Sequence, residues 1–554
     1  MSLCGHHADV RGLYDPMFCL RAPTLARCSG AWRRMQTFQL VDRRVLRVGG
    51  ADAATFLQGL VTSDVNLLAT APAANAAAPS QQAWRAAPSQ YAVFLNAKGR
   101  VMHDVIISRV IAAQEGDDDD EPAAAFLVDC DAGGAPALLK MLKRYKLRAA
   151  VTLQELPIAT TAIVGEEEEQ AWSLWALSPA SAGGGEILTH AQPQLPPLPP
   201  SGAGAWAAAA ASSRKSLGTD GDAGAATKLA VAAEEAASLL APALAEAEAA
   251  AACWVLAASE GQAGDGGDGG GVAKVTVYAD PRRVVGTVPG TLPLGWRVLV
   301  PPAATAAAAA ATAASALAPP AVYEARRLLA GVPQGPAEMK GALPLEMNLA
   351  ELGGVSFAKG CYIGQELTAR THFKGVIRKR ALPCLFTAGG HGSSSSGGDA
   401  DAGNDIHAGG AGEADVAALV RASVVVSSDS EPAFGPWCGS ASAVRSCPAP
   451  LIGTEVWLRS GDDDSSAAAG SRGGKRRERA AGKIVASSSA LNVGLVHMRT
   501  DCARSDQLEL RQAPPAAEEE EGDEVEADQC AGDEIEMPGI VPLVTDDSPA
   551  LAKH

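Results

Sequence analysis

Aromatic side chains make up only 4% of the 554 residues, which include 58 glycines, 35 prolines and long alanine runs. A chain so short of large apolar groups cannot bury a core along its whole length. Much of it therefore reads as insertion and linker, although length alone would suggest about three or four domains. Cysteine is also thinly spread: there are 11, none in a Cys-x-x-Cys pair, and the closest spacings are Cys19/Cys28 and Cys438/Cys447. That excludes a zinc knuckle and argues against a disulfide framework. Basic residues are in deficit, 46 Lys and Arg against 63 Asp and Glu, for a net charge of −17. Such a balance disfavours a nucleic-acid reader, because phosphate neutralisation needs clustered cations. Part of the acid is local, in GDDDDE (116–121) and AAEEEEGDEVEAD (516–528), both read as solvated runs. No stretch reads as a membrane span. The longest weakly apolar run, PPAATAAAAAATAASALAPP (301–320), is nearly all alanine with proline at both ends, and it reads as a linker.

What is present comes in islands. The N-terminal stretch carries Arg11, Arg21, Arg27, Arg33 and Arg34 against Asp9 and Asp15, the bias of an organellar import sequence over residues 1–37. The first ordered island spans 38–157. FQLVDRRVLRVGG alternates like a strand ending in a Gly-Gly turn, and Phe56, Leu57, Leu60 and Val61 form a helical stripe opened by Asp52. YAVFLNAKGRVMHDVIISRV (91–110) reads as two strands joined at Asn96–Gly99, and PALLKMLKRYKLRAAVTLQEL as an amphipathic helix followed by a strand. Residues 158–273 read as a low-complexity insertion, 274–387 as the second island and 388–450 as another insertion. Residues 451–500 read as short strands of a small β-barrel, and 501–554 as an acidic tail. The expected fold class is α+β, helices packed on mostly antiparallel sheets.

The densest chemistry lies in KGCYIGQELTAR, Lys359–Arg370. Glycines flanking Cys361 and Tyr362 permit a tight turn or a close backbone approach. A neighbouring ammonium lowers a thiol's pKa, and the thiolate is the form that attacks electrophiles and binds metals. The plainer reading is a buried turn cysteine. Lys359 either favours the thiolate or caps the turn. His103 has no companion at metal-ligand spacing and reads as a packing or surface histidine.

The eight residues KGCYIGQE resemble the hallmark of folate-binding, glycine-cleavage T-protein-like (aminomethyltransferase-like) proteins that assist iron–sulfur cluster assembly. VLRVGGADAATFLQGLVTSDV, FLNAKGRVMHDVIISRV, LLKMLKRYKLRAAVTL, DPRRV with LGWRVL, YEARRLLAGVPQG and LPLEMNLAELGGVSF fit the same family in the same order. The resemblance implies an aminomethyltransferase-like fold: two intertwined α+β domains and a small C-terminal β-barrel around a central opening. It also implies a tetrahydrofolate-type ligand and a role in maturing [4Fe–4S] proteins. Partners would be A-type iron–sulfur scaffold proteins, ferredoxin and client [4Fe–4S] enzymes, with a location in the mitochondrial matrix or, alternatively, the plastid stroma.

On that resemblance Cys361 is the functional thiol, a ligand to a [2Fe–2S] or [4Fe–4S] cluster shared with a partner, because one thiolate cannot complete a cluster's ligand set. Asp104, Arg327, Lys359, Gly360, Gly364, Gln365 and Glu366 would line the cofactor site, although Asp104 could instead pair with Arg100 across the hairpin. Gln365 and Glu366 could equally satisfy partners near the turn. Lys374, Arg378, Lys379 and Arg380 read as a solvated strand or as an electropositive rim. The sequence departs from T-proteins at GRVMHD, where His103 replaces the first of two paired acids, and it lacks their pterin-binding glutamate turn. The rival reading is a tetrahydrofolate-dependent aminomethyltransferase of the glycine cleavage system. A third is a scaffold with no ligand of its own, so turnover itself is left open.

Overall fold

The computed structural model describes residues 35–70, 84–111, 124–159, 171–179, 275–282, 294–314, 316–317, 320–387, 452–458, 479–488, 493–503, 508–511 and 539–543, with isolated positions at 251–258 and 505. In chain order the first elements are β1 (Met35–Gln39), β2 (Arg43–Gly49), α1 (Ala53–Gln58), α2 (Val65–Thr70), β3 (Trp84–Ala86), β4 (Ser89–Leu95), β5 (Val101–Ile111), β6 (Ala124–Asp131), α3 (Ala135–Lys146), β7 (Thr152–Leu156) and β8 (Ser173–Pro179). Then follow β9 (Val275–Ala279), β10 (Trp296–Val300), α4 (Thr305–Ala314), β11 (Ala316–Leu317), α5 (Pro320–Leu329), α6 (Gly335–Met339), α7 (Gln365–Lys374) and β12 (Lys379–Thr387). The last strands are β13 (Glu455–Leu458), β14 (Arg479–Ser488), β15 (Val493–Arg499), β16 (Leu508–Arg511) and β17 (Gly539–Pro542).

These strands make three sheets, ordered β11-β1-β8-β10-β9-β3, β4-β5-β6-β2-β7 and β16-β13-β14-β15-β12-β17. Pairing is antiparallel except at β1–β11 and β3–β9, so the expected α+β class holds. The first two sheets face each other across one apolar core that includes Phe38, Leu174 and Tyr278 from one and Val45, Val93 and Ile106 from the other. The second sheet's outer face is covered by α1, α2 and α3 through Leu57, Val65, Leu68, Leu138 and Leu142. In the third sheet the edge strands β16 and β17 touch but are not hydrogen-bonded to each other, so the expected barrel is a curled sheet short of closure.

Three low-complexity stretches are more ordered than their composition suggests. β8, inside the expected insertion 158–273, pairs with both β1 and β10. Ala251, Trp254, Val255 and Ala258 are helical at positions i, i+3, i+4 and i+7 and fully buried against Trp175, Val277 and Trp296. The alanine run expected to be a linker forms α4. Alanine has the highest helix propensity, and the small faces of Ala308 and Ala311 let the helix lie close on the same sheet. The expected acidic tail contains β16 and β17, which bracket the acidic run 516–528; that run, 388–450 and residues 1–34 lie outside the described residues.

Between the first two sheets runs a buried ion network. Arg43 Nε donates to Asp129 Oδ1 at 2.7 Å, and Arg297 Nη1 donates to Asp129 Oδ2. Arg282 forms a fork on Asp280 at 2.9 and 2.6 Å and donates through Nη1 to Gln334 Oε1 at 2.7 Å. The Tyr323 hydroxyl accepts from Arg297 at 3.0 Å and from Arg282 at 3.1 Å. Burial opposes charge on Asp280, but Arg282 and Arg297 outweigh it and hold its carboxyl at about 2.

Because Trp254 fills the layer outside β8–β10, replacing 185–268 with a short linker removes part of a core. Trp254→Ala is expected to cost about 3–5 kcal/mol of unfolding free energy, measured by denaturant titration. A loss below about 1 kcal/mol would mean that this helix does not contribute to the core.

Candidate functional site

The signature loop is held by the turn that ends α1. Along residues 58–63, five backbone carbonyls accept hydrogen bonds from the segment 356–363. Gly59 O accepts from Ile363 N at 3.1 Å, and Thr62 O from Ser356 N at 2.9 Å. The remaining three acceptors converge on one amine: Lys359 Nζ donates to Gln58 O at 2.8 Å and to Val61 O and Ser63 O at 2.7 Å. Lys359 is buried, with its Nζ 5.0 Å from the Tyr362 ring centroid. Burial pulls its ammonium down to about 8, against the opposing pull of Asp64. Of its two sequence readings, the cap is the one the geometry supports: all three N–H donors are spent on carbonyls.

Gly364 explains the second glycine of the signature. It adopts φ +80° as the N-cap of α7, and a Cβ there would lie 2.4 Å from Asn96 O and 2.8 Å from Leu95 Cβ. The β4–β5 hairpin tip makes the reciprocal approach: Gly99 has φ +74°, and a Cβ on it would lie 2.9 Å from Gly364 O. As expected, the hairpin turns at Asn96–Gly99, with Asn96 Oδ1 accepting from Lys98 N and Arg100 N. Gly360 differs, since a Cβ there meets nothing within 4 Å.

Between these anchors Cys361 is exposed. Of the other cysteines among the described residues, Cys502 is half-buried, while Cys130 and Cys384 are buried; desolvation pushes the Cys130 thiol up to about 12 and raises that of Cys384 further. The buried-turn reading of Cys361 does not hold. Glu366 forms an exposed pair with Arg370 one helical turn on, at 2.6 Å, and the Gln365 backbone N–H donates to Tyr362 O at 3.3 Å. Both serve the turn and helix start. Arg380 leaves the expected cationic rim: it is buried on Glu351 at 2.6 Å and Leu345 O at 3.0 Å, whereas Lys374, Arg378 and Lys379 are exposed.

Asp104 lies elsewhere, on β5, and is 2% exposed. Its Oδ1 accepts from Gly335 N at 2.8 Å, while Oδ2 is buried with no partner. Arg100 does not pair with it, donating instead to Gly341 O at 3.2 Å. Gly335 also lines a cavity of about 480 Å³ with His103, Asp131, Arg327, Gln334 and Glu338. Burial, partly offset by Asp104, lowers the His103 pKa. Arg327 is committed to a bidentate pair with Glu338 at 2.8 and 2.6 Å and to Val332 O at 2.8 Å. The residues assigned to one site thus fall into two places: Cys361 does not line the cavity, and Asp104 adjoins it through Gly335. The carbonyls of Gln58, Val61 and Ser63 were missed because backbone acceptors carry no side-chain signature. Glu338 and Gln334 were missed because nothing in their spacing marks them as Arg partners.

Gly364→Ala should destabilise the protein by about 1–3 kcal/mol through φ strain and overlap with the hairpin tip, while Gly360→Ala should stay within about 0.5 kcal/mol. Thermal denaturation of the pair checks this. Equal losses would show that the Gly364–Gly99 contact is not a constraint.

No protein-family model matches the chain. It is 31% identical over 354 residues to the human iron-sulfur cluster assembly factor IBA57, mitochondrial, covering 63% of this chain and 66% of that relative. The mouse protein of the same name is 30% identical over 348 residues, with 62% and 65% covered. The IBA57 homolog of Chaetomium globosum is 28% identical over 351 residues, with 63% and 55% covered. The chain thus spans just under two thirds of its mammalian relatives and about half of the fungal one. Among solved structures, a glycine cleavage system aminomethyltransferase T from Bartonella henselae pairs with 88% of this chain and 86% of its own. The TM-score is 0.40 at 12% identity, a superposition too loose to add to the assignment. On the sequence relatives, the chain is a homologue of the mitochondrial IBA57 iron–sulfur cluster assembly factors.

Proposed function

We propose that the protein is an iron–sulfur cluster assembly factor acting in the maturation of [4Fe–4S] proteins, with Cys361 as a ligand to a cluster shared with an A-type scaffold. The observation that carries this reading is an exposed thiol on a loop whose neighbours on both sides are anchored. Thiolates are the usual ligands of iron–sulfur clusters, and one thiolate leaves the remaining positions to other proteins. The relatives' names supply the process and a mitochondrial location, and the Arg-rich N-terminus agrees with import. Ferredoxin and client [4Fe–4S] enzymes complete the proposed set of partners.

Cys361→Ser keeps nearly the same volume but loses the soft sulfur. It is expected to stay folded, to lose the visible absorption of a cluster formed anaerobically with an A-type scaffold, iron and sulfide, and to fail to restore aconitase-type activity in cells lacking the mitochondrial factor. Cys502→Ser is the control and should match the parent. Cys384 cannot serve, because serine there would bury a hydroxyl. Full complementation by Cys361→Ser would overturn the ligand role.

A tetrahydrofolate-type ligand is the second component of the proposal. The unpartnered, buried Oδ2 of Asp104 beside a 480 Å³ cavity suits the amine-rich edge of a pterin, which a carboxylate holds by charge-assisted hydrogen bonds. Arg327 contributes by orienting Glu338 at the cavity wall through its bidentate pair. Asp104→Asn should weaken tetrahydrofolate binding about tenfold or more by calorimetry. Absence of binding to the parent protein would remove the ligand from the proposal.

A further inference from the structure

We infer that Lys359 is the positioning residue for Cys361: its ammonium fills a cage of three carbonyls on the turn ending α1 and so fixes the height and direction at which the thiol is presented. The inference rests on the reading of Cys361 as a shared ligand, and it assigns to the lysine of the signature a mechanical task.

Stoichiometry and shape carry the argument. A lysine ammonium has three donors about one nitrogen and no acceptor, and Gln58 O, Val61 O and Ser63 O supply three acceptors at 2.7–2.8 Å. Arginine cannot substitute, because its donors lie in a planar fork and cannot converge on three carbonyls around one point. Of the carbonyls between them, Gly59 O and Thr62 O are taken by the amides of Ile363 and Ser356. The amine therefore completes a ladder that binds the signature segment on both sides of Cys361. Its receiving turn is itself fixed, since Val93 N donates to Thr62 Oγ1 at 3.0 Å and the Ser63 hydroxyl donates to Tyr91 O. Only Gly360 separates the cage from the thiol, and its surroundings are open. A lysine bound this way anchors the loop through its side chain while Cys361 projects outward. With the anchor gone, the outward presentation of the thiol is lost, and its reaction slows.

The test uses the full chain with Lys359→Met, Lys359→Arg and Lys359→Ala, the last with ethylammonium or tetramethylammonium added. The readouts are melting temperature, deuterium exchange in peptides spanning 356–364, and alkylation of Cys361 by iodoacetamide relative to Cys502, resolved by peptide mass spectrometry. Lys359→Met and Lys359→Arg should both exchange at least tenfold faster across 356–364. Both should alkylate at Cys361 at least threefold more slowly while Cys502 is unchanged. Ethylammonium, which has three N–H donors, should restore the Lys359→Ala rate; tetramethylammonium, which has none, should not. The same folded variants should form less than a tenth of the parent's cluster with the A-type scaffold. The inference is overturned if Lys359→Arg matches the parent, if tetramethylammonium rescues, or if exchange quickens with Cys361 alkylation unchanged. A parent that forms no cluster at all would sink the shared-ligand reading alone, because the exchange and alkylation arms still decide the role of Lys359.

Discussion

The buried pairing of Arg43, Arg297 and Arg282 with Asp129 and Asp280 is the constraint on which the rest of the molecule depends. Burying charge is costly unless every partner is in place, and removing one carboxylate would leave a guanidinium uncompensated in the core. The partners come from β2, β6 and β10 and from the segment after β9, so both facing sheets must be complete before the network closes. Its influence reaches the signature loop through contiguous contacts. The Arg282 guanidinium lies 6.0 Å from the centroid of Tyr91, whose ring in turn packs so closely on Gly354 that a Cβ there would approach to 2.8 Å. The carbonyl of Gly354 accepts from the Thr62 hydroxyl, and Thr62 belongs to the turn that receives Lys359.

Legibility in the sequence followed the kind of interaction involved. The β4–β5 hairpin, the amphipathic α3 and the Gly-rich signature were readable because period, turn chemistry and glycine placement are local properties. The alanine helix α4 was not. Its composition lacks the apolar side chains by which a buried helix is usually recognised, and its burial depends on the large residues Trp175 and Trp296 supplied by the sheet beneath. The burial of Trp254 was hidden for a related reason: the stretch 228–256 reads as helical with a break at Pro242, but its alanine- and acid-rich composition does not say that it packs on a sheet. Likewise β16 and β17 are only four residues each, too short for alternation to separate them from an acidic tail.

For the site, residue identity was legible and role was not. Cys361 is exposed on the loop that the sequence singled out, and Lys359, two residues before it, reaches the thiol only through the backbone, its ammonium being bound to three carbonyls. Asp104 and Cys361 had been placed in one site by resemblance, yet they belong to separate places, one beside a cavity between β5 and α6 and the other on the surface before α7. Arg327 could not be recognised as occupied, because its partner Glu338 is 11 residues away on a different helix.

The distance along the chain between the two halves of the lysine cage bears on how the protein matures. The amine and its acceptors are separated by 296 to 301 residues, among the longest separations in the molecule. Contacts of that span require a large loop to close before they give any return, so they form late in folding. A nascent chain exposes the turn at 58–63 long before residue 359 is synthesised, and the cage cannot assemble until nearly two thirds of the polypeptide has been made. A thiol held in one fixed position is therefore a property of the finished fold.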